Sequence, residues 1–217
     1  MDWSKVIASE SKTRAIIQAD DYARRYELSI RSVHAALKRQ EKKGFVERVS
    51  NKIYINKLAK EFRQQDLLHV LRPDAYISLE SALSEYGVTS QNPRVLTCVS
   101  PKYVRNIRSK TVNISFRKLK KDLYWGFSPK KTRYSIYNLA APEKALLDWI
   151  YFRRSESLPL DMDEFVLNEL DRTRLLEYAK RYPAPVENEI VRLLAHTPRP
   201  NSQPKDVKYL APAHAQR

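Results

Sequence analysis

Glycine is scarce in this chain: three residues, Gly44, Gly87 and Gly126, among 217. None belongs to a cluster, which excludes a phosphate-cradling glycine loop and a Gly-x-Ser-x-Gly nucleophile elbow. Cysteine is scarcer still. The lone Cys98 rules out an intrachain disulfide and fits a reducing compartment. In the apolar run Val95-Leu96-Thr97-Cys98-Val99 it reads as a small buried side chain. His34, His69, His196 and His214 are scattered and form no zinc spacing with cysteine, so neither metal nor cofactor is expected. No apolar run approaches the ~18 residues of a membrane span. The N-terminus lacks a signal-peptide layout, and a soluble, cytoplasmic chain with no membrane partner is expected. Between Val95 and Leu139 one carboxylate occurs, Asp122, inside a lysine cluster. A metal-dependent nuclease brings two or three carboxylates together on strands. The expectation is therefore a protein that is not an enzyme.

What the chain has in excess is positive charge. Forty Lys and Arg against 25 Asp and Glu give a net +15 and a pI near 9.8, which suits a polyanionic partner. The excess is uneven. Residues 1–60 hold 14 cations against 7 carboxylates, and residues 101–134 hold 11 against 1. The stretch between them is slightly acidic, and residues 135–217 are balanced.

The first basic zone has an internal order. Residues 20–26 predict a short helix entering the turn Glu27-Leu28-Ser29, and residues 30–43 predict a second helix that Gly44 stops. Two β-runs follow, 45–49 and 53–55, joined by Ser50-Asn51-Lys52. In the second helix Ile30, Val33, Leu37 and Gln40 fall on one side, and Arg31, Ala35, Lys38, Arg39 and Lys42 on the other. This is the order of a winged helix-turn-helix, whose second helix packs inward and offers charge to a major groove. Ser29 is a good N-cap. Glu27 stands where such turns often carry glycine, and positive φ at a non-glycine costs ~1 kcal/mol. On this reading Arg31, Ser32 and Ala35 face bases, while Lys38, Arg39, Arg48, Asn51 and Lys52 mainly hold phosphates. The competing reading is a small helical core whose basic face is merely solvated; the ordered series of elements weighs against it.

The chain as a whole reads as α+β: a winged helix-turn-helix over residues 1–60, a connecting helix at 61–74, a C-terminal domain at 75–197 with a β-sheet flanked by helices, and a weakly ordered tail at 198–217. Trp3, Val6 and Ile7 predict a helix padding the head, and residues 57–71 have helical character up to Arg72-Pro73. Ser78 is placed to cap a two-turn helix closed by Gly87. Strands are expected at 95–99, 111–116, 123–127 and 134–139, and helices from Ala141-Pro142 and over 162–170, 172–182 and 186–194.

Three features together carry a family resemblance: the N-terminal winged helix, Tyr76-Ile77-Ser78-Leu79-Glu80-Ser81-Ala82-Leu83 with Tyr86-Gly87, and Ala141-Pro142-Glu143-Lys144-Ala145-Leu146-Leu147-Asp148. Over about residues 10–175 the chain resembles the AbiEi antitoxins of the bacterial AbiE abortive-infection toxin–antitoxin systems. The resemblance implies a winged helix that binds inverted repeats in its own promoter and represses it, as a dimer or as monomers that pair on DNA. It also implies a C-terminal domain that counteracts a nucleotidyltransferase-like toxin, functionally if not by stable complex. Read as residues alone, the 78–82 and 142–144 motifs serve helix initiation and packing; a partner contact by Glu143 or Asp148 is the alternative.

The second basic zone comprises Lys102, Arg105, Arg108, Lys110, Arg117, Lys118, Lys120, Lys121, Lys130, Lys131 and Arg133, interleaved with Tyr103, Phe116, Tyr124, Trp125 and Phe127. It reads either as a nucleic-acid surface, DNA or RNA, or as a sheet with aromatics inside and lysines in solvent. Two other functional readings stay open: a regulator of another operon with an effector- or partner-sensing C-terminal domain, and a DNA-targeted nuclease.

Overall fold

A computed structural model describes residues 1–162 and 165–196. The expected tail at 198–217 lies outside the described residues. The chain is mixed, with helices and two sheets: three strands in the order β1 (Ile16–Gln18), β3 (Ile53–Asn56), β2 (Val46–Arg48), and six in the order β6 (Ile107–Arg108), β7 (Asn113–Lys118), β5 (Leu96–Ser100), β4 (Tyr76–Ile77), β9 (Ile136–Ala140), β8 (Phe127–Lys131).

The first unit comprises α1 (Trp3–Glu10), β1 (Ile16–Gln18), α2 (Ala19–Arg25), α3 (Ile30–Lys42), β2 (Val46–Arg48) and β3 (Ile53–Asn56). Asp2 caps α1 through the N–H groups of Ser4 and Lys5. Glu27 takes φ +53 in the turn between α2 and α3, and Gly44 takes φ +81 beyond α3. Trp3, Ile7, Ile17, Tyr22, Val33, Leu37, Val46 and Tyr54 form its core. Ile30, expected on the inward side of α3, is 38 % exposed. It is the first helical residue, and Ala36 and Gln40 join Val33 and Leu37 in the buried arc.

Strand β3 has two differently employed faces. Ile17 pairs with Tyr54 and Ile16 with Ile55, so alternate residues point to opposite sides. Tyr54 belongs to the first core and Ile55 to the second, larger one. Asn56, fully buried, donates to Ile7 O at 2.9 Å and accepts the Leu58 N–H at 3.1 Å, which turns the chain out of the strand.

That turn overturns the connecting helix expected within 57–74. Arg63 is extended at φ −127, a 3-10 turn covers Gln64–Leu67, and one α turn, α4 (Leu68–Leu71), follows. Asp66 caps the turn by accepting the Arg63 N–H at 2.8 Å. Of the apolar residues along this segment Leu67 and Leu68 are buried where it crosses strand β9, Phe62 and Leu71 are half-buried, and Leu58 is exposed.

The larger sheet comprises β4 (Tyr76–Ile77), β5 (Leu96–Ser100), β6 (Ile107–Arg108), β7 (Asn113–Lys118), β8 (Phe127–Lys131) and β9 (Ile136–Ala140). It is mixed: β5 runs parallel to β7 and β4 to β9, and the other pairs are antiparallel. Helix α5 (Leu79–Glu85) packs on β5, α6 (Pro142–Ser155) packs on α5, and α7 (Arg172–Ala179) and α8 (Ala184–His196) pack on α6 and on each other. The strand expected at 123–127 is instead a 3-10 turn, Lys121–Leu123, and the strand begins at Phe127. Its exposed edge tolerates Pro129, which an inner strand would not. Within 162–170 the described residues hold a bridge from Phe165 to Thr89 and a 3-10 turn at Leu167–Glu169.

Candidate nucleic-acid interface

Ser29 caps α3 by accepting the Ser32 N–H at 3.1 Å, and the two hydroxyls lie 2.8 Å apart. Opposite the buried arc, Arg31, Ala35, Lys38 and Lys42 share one line of the helix. Ser32 and Arg39 lie to one side of it, His34 and Glu41 to the other. Arg31, Ser32, Ala35, Lys38, Arg39 and Lys42 are all exposed.

Charge pairing sets this face apart. Around α1 and α2 the arginines are matched: Arg14 meets Asp21 at 2.7 Å, Arg25 meets Glu10 at 2.7 Å and Arg24 meets Asp21 at 3.7 Å. Burial first, and then Glu10, raise the Tyr22 pKa, so its hydroxyl stays a neutral donor to that carboxylate. On α3 the one carboxylate, Glu41, accepts the backbone N–H of Arg48 at 3.0 Å. Among the described residues, Arg31, Lys38, Arg39 and Lys42 make no ion pair and no side-chain hydrogen bond. The face is positive and uncompensated.

The hairpin residues are differently committed. Arg48 donates to Ser50 O at 3.1 Å, to Asn51 O at 3.3 Å and to Asn51 Oδ1 at 2.7 Å, so it shapes the hairpin turn. Lys52 meets Asp20, at the start of α2, at 2.9 Å across solvent. A cleft of about 310 Å³ separates α3 from the hairpin, with His34 Nδ1 and Tyr54 OH 3.1 Å apart on its wall. The sequence reading assigns no contact to Lys42 or Tyr54. Lys42 was within reach of it, eleven residues and three turns beyond Arg31; Tyr54 gave no signal.

The second basic zone is not one surface. Strands β6 and β8 are the opposite edges of the six-stranded sheet, so Arg108 and Lys130–Lys131 are separated by four strands. The limb at β6 includes exposed Arg105, Arg108 and Lys110 and abuts β2: Glu47, 6 % exposed, accepts the Thr111 N–H and hydroxyl, each at 3.0 Å. The limb at β8 abuts the other side of the first unit, where Arg133 donates to Lys12 O at 3.4 Å and pairs with Glu61. Lys102, Lys118, Lys120 and Lys121 are exposed at strand ends and loops. Arg117 pairs with Glu156 and lies over the Phe152 ring. Of the interleaved aromatics, Phe116 is buried and Tyr124, Trp125 and Phe127 are half-buried, while Tyr103 is 82 % exposed.

The two motif segments that carry the family resemblance meet inside the larger core. Lys144 and Asp148, one turn apart on α6 and fully buried, form an ion pair. Lys144 Nζ also donates to Tyr76 OH at 3.0 Å and to Tyr182 OH at 2.6 Å. Asp148 accepts from Tyr76 at 2.9 Å, Ser78 at 2.8 Å and Tyr182 at 2.6 Å. Every donor of the ammonium is used. Burial lowers the Lys144 pKa, with Asp148 opposing, and burial raises those of Tyr76 and Tyr182. Ser78 therefore does not cap α5 as expected, because its hydroxyl is spent on Asp148; Thr97 Oγ1 takes the Ser81 N–H instead, at 3.1 Å. Glu143 accepts the Asp171 N–H at 3.0 Å, and buried Cys98 has its thiol pKa pushed up by desolvation.

No family model and no curated protein matches the chain. Among solved structures it is similar to the RV2827C protein from Mycobacterium tuberculosis, at 11% identity and a TM-score of 0.57. The match covers 88% of this chain and 75% of that one. The likeness is one of fold alone. No helix among the described residues is long and apolar enough to cross a membrane.

Proposed function

We propose that α2, α3 and the β2–β3 hairpin form a winged helix-turn-helix that binds double-stranded DNA sequence-specifically. One observation carries the reading: the solvent line of α3 presents Arg31, Lys38 and Lys42 without carboxylate partners, whereas Arg14 and the two α2 arginines, Arg24 and Arg25, are paired. An unpaired cationic ridge on a helix is a surface that gains by displacing counterions from phosphates. Arg31, Ser32 and Ala35, in the first turns, face the base edges; Lys38, Arg39 and Lys42 hold the flanking phosphates, with Asn51 and Arg48 positioned by their mutual bonds.

On the same proposal the chain is an AbiEi-type antitoxin that represses its own promoter through an inverted repeat and neutralises a nucleotidyltransferase-like toxin. The support is the coincidence of the 76–87 and 141–148 segments in one buried network, in addition to their order in the chain. A gel shift with promoter DNA from the chain's own operon tests the first half: Arg31→Ala/Lys38→Ala is expected to lose operator binding, and wild-type binding by that variant refutes it. Co-expression of the full chain with the adjacent gene tests the second. Growth rescue that survives Arg31→Ala/Lys38→Ala is expected, and absence of rescue by wild type refutes the antitoxin role.

A further inference from the structure

Between α6 and strands β5 and β7 lies a cleft of about 310 Å³, remote from α3, at the lower end of the range for small-molecule sites. Its floor is apolar: Leu79, Trp149 and Phe152 are each at most 9 % exposed, and Leu158 forms a rim. Its carboxylates are occupied. Glu80 accepts the Trp149 indole N–H at 3.0 Å, and Glu156 is paired with Arg117. Two guanidinium groups are not occupied. Arg94 is exposed and has no ion pair or hydrogen bond among the described residues. Arg153 lies over the Trp149 ring at 4.8 Å, and its buried Nε has no acceptor. A planar guanidinium held on an indole, with donors unmatched, is arranged for a planar anion that can accept two parallel bonds. Leu79, in the floor, holds φ +58, strain of a kind that collects where a ligand is clamped.

We propose that this cleft binds a small organic carboxylate with an apolar or aromatic body, the carboxylate on Arg153 and Arg94 and the body on Leu79, Phe152 and Leu158. The site is independent of the DNA-binding reading. Calorimetric titration of the full chain with naphthoate tests it, with naphthalenemethanol as the uncharged shape and inorganic phosphate as the bare anion. Naphthoate is expected to bind saturably, with both controls and the Arg94→Gln variant weaker by ~tenfold or more, the cost of one charge-assisted pair. Lys131→Gln, in a separate cleft beside β1, is expected to leave the affinity unchanged. No saturable binding of naphthoate, or equal binding of either control or by Arg94→Gln, overturns the proposal. Arg153→Gln is informative only if it folds; Arg94→Gln decides the matter without it.

Discussion

Glu47 accepts two hydrogen bonds from Thr111, one from its backbone N–H and one from its hydroxyl, and each carboxylate oxygen takes one of them. This pair joins β2, the strand leading to Arg48, to the turn between β6 and β7 and to the basic limb beside it. Burial pushes the Glu47 carboxyl upward, but hydrogen bonds from Ser109 and Thr111 outweigh it and hold the pKa below its usual value. A native pKa below the unfolded one gives stability that is present above the unfolded pKa and lost as pH falls through the native one. Glu47→Gln should therefore cost about 1–3 kcal/mol near neutral pH. In urea unfolding the gap to wild type should close below about pH 4; a gap that persists in acid contradicts this.

Single changes on α3 should separate bases from phosphates. Arg31→Ala is expected to lower operator affinity by about 1–3 kcal/mol and to relax sequence choice. Lys42→Ala should weaken every duplex alike and reduce the salt slope by about one unit. Binding measured across a salt series on operator and scrambled DNA distinguishes the two.

Arg48 and Asn51 act as a unit, so their effects should not add. A double-mutant cycle of Arg48→Ala and Asn51→Ala on DNA affinity is expected to give a coupling of about 0.5–3 kcal/mol. Additive losses would mean that each touches DNA separately.

In the larger core, Lys144→Met leaves Asp148 charged and unpaired in a buried site, and should destabilise by about 3–5 kcal/mol. The double change Lys144→Met/Asp148→Leu should cost less than Lys144→Met alone, because no uncompensated charge remains. Denaturant unfolding of both variants checks the order.

Two glycines make a controlled comparison. Both hold positive φ, yet a Cβ on Gly44 meets nothing within 4 Å, whereas on Gly126 it comes within 3.1 Å of the Lys144 side chain. Gly44→Ala should cost only the backbone term, about 1 kcal/mol. Gly126→Ala should cost more, since Lys144 is held in place by three hydrogen-bond partners.

What the sequence made legible was local. Ser29, the spacing of Val33, Leu37 and Gln40, and Gly44 mark the start, face and end of α3, because capping and periodicity act within a few residues. Tyr76–Ile77 gave no such signal, since a two-residue strand has no period; only its neighbours β5 and β9 define it. Lys144 read as part of a helix-initiating and packing motif and Asp148 as at most a partner contact, and nothing nearby announces that the two pair in the core with Tyr182 closing over them. The basic residues from 102 to 133 read as one patch because they are neighbours in the chain. The sheet order places three strands between β7 and β8, a non-local fact that parted them.

Strand β3 has a practical consequence. With Tyr54 sunk on one side and Ile55 on the other, it works as a party wall, and demolishing either room leaves the other open to the weather. A fragment begun after residue 60 keeps its sheet but forfeits Ile16, Ile53 and Ile55, which tile one side of its interior. Failure of such a fragment in cells would report poor folding before it reported anything about the proposed toxin neutralisation, so the two proposed activities are better parted by point substitutions on α3 than by scissors.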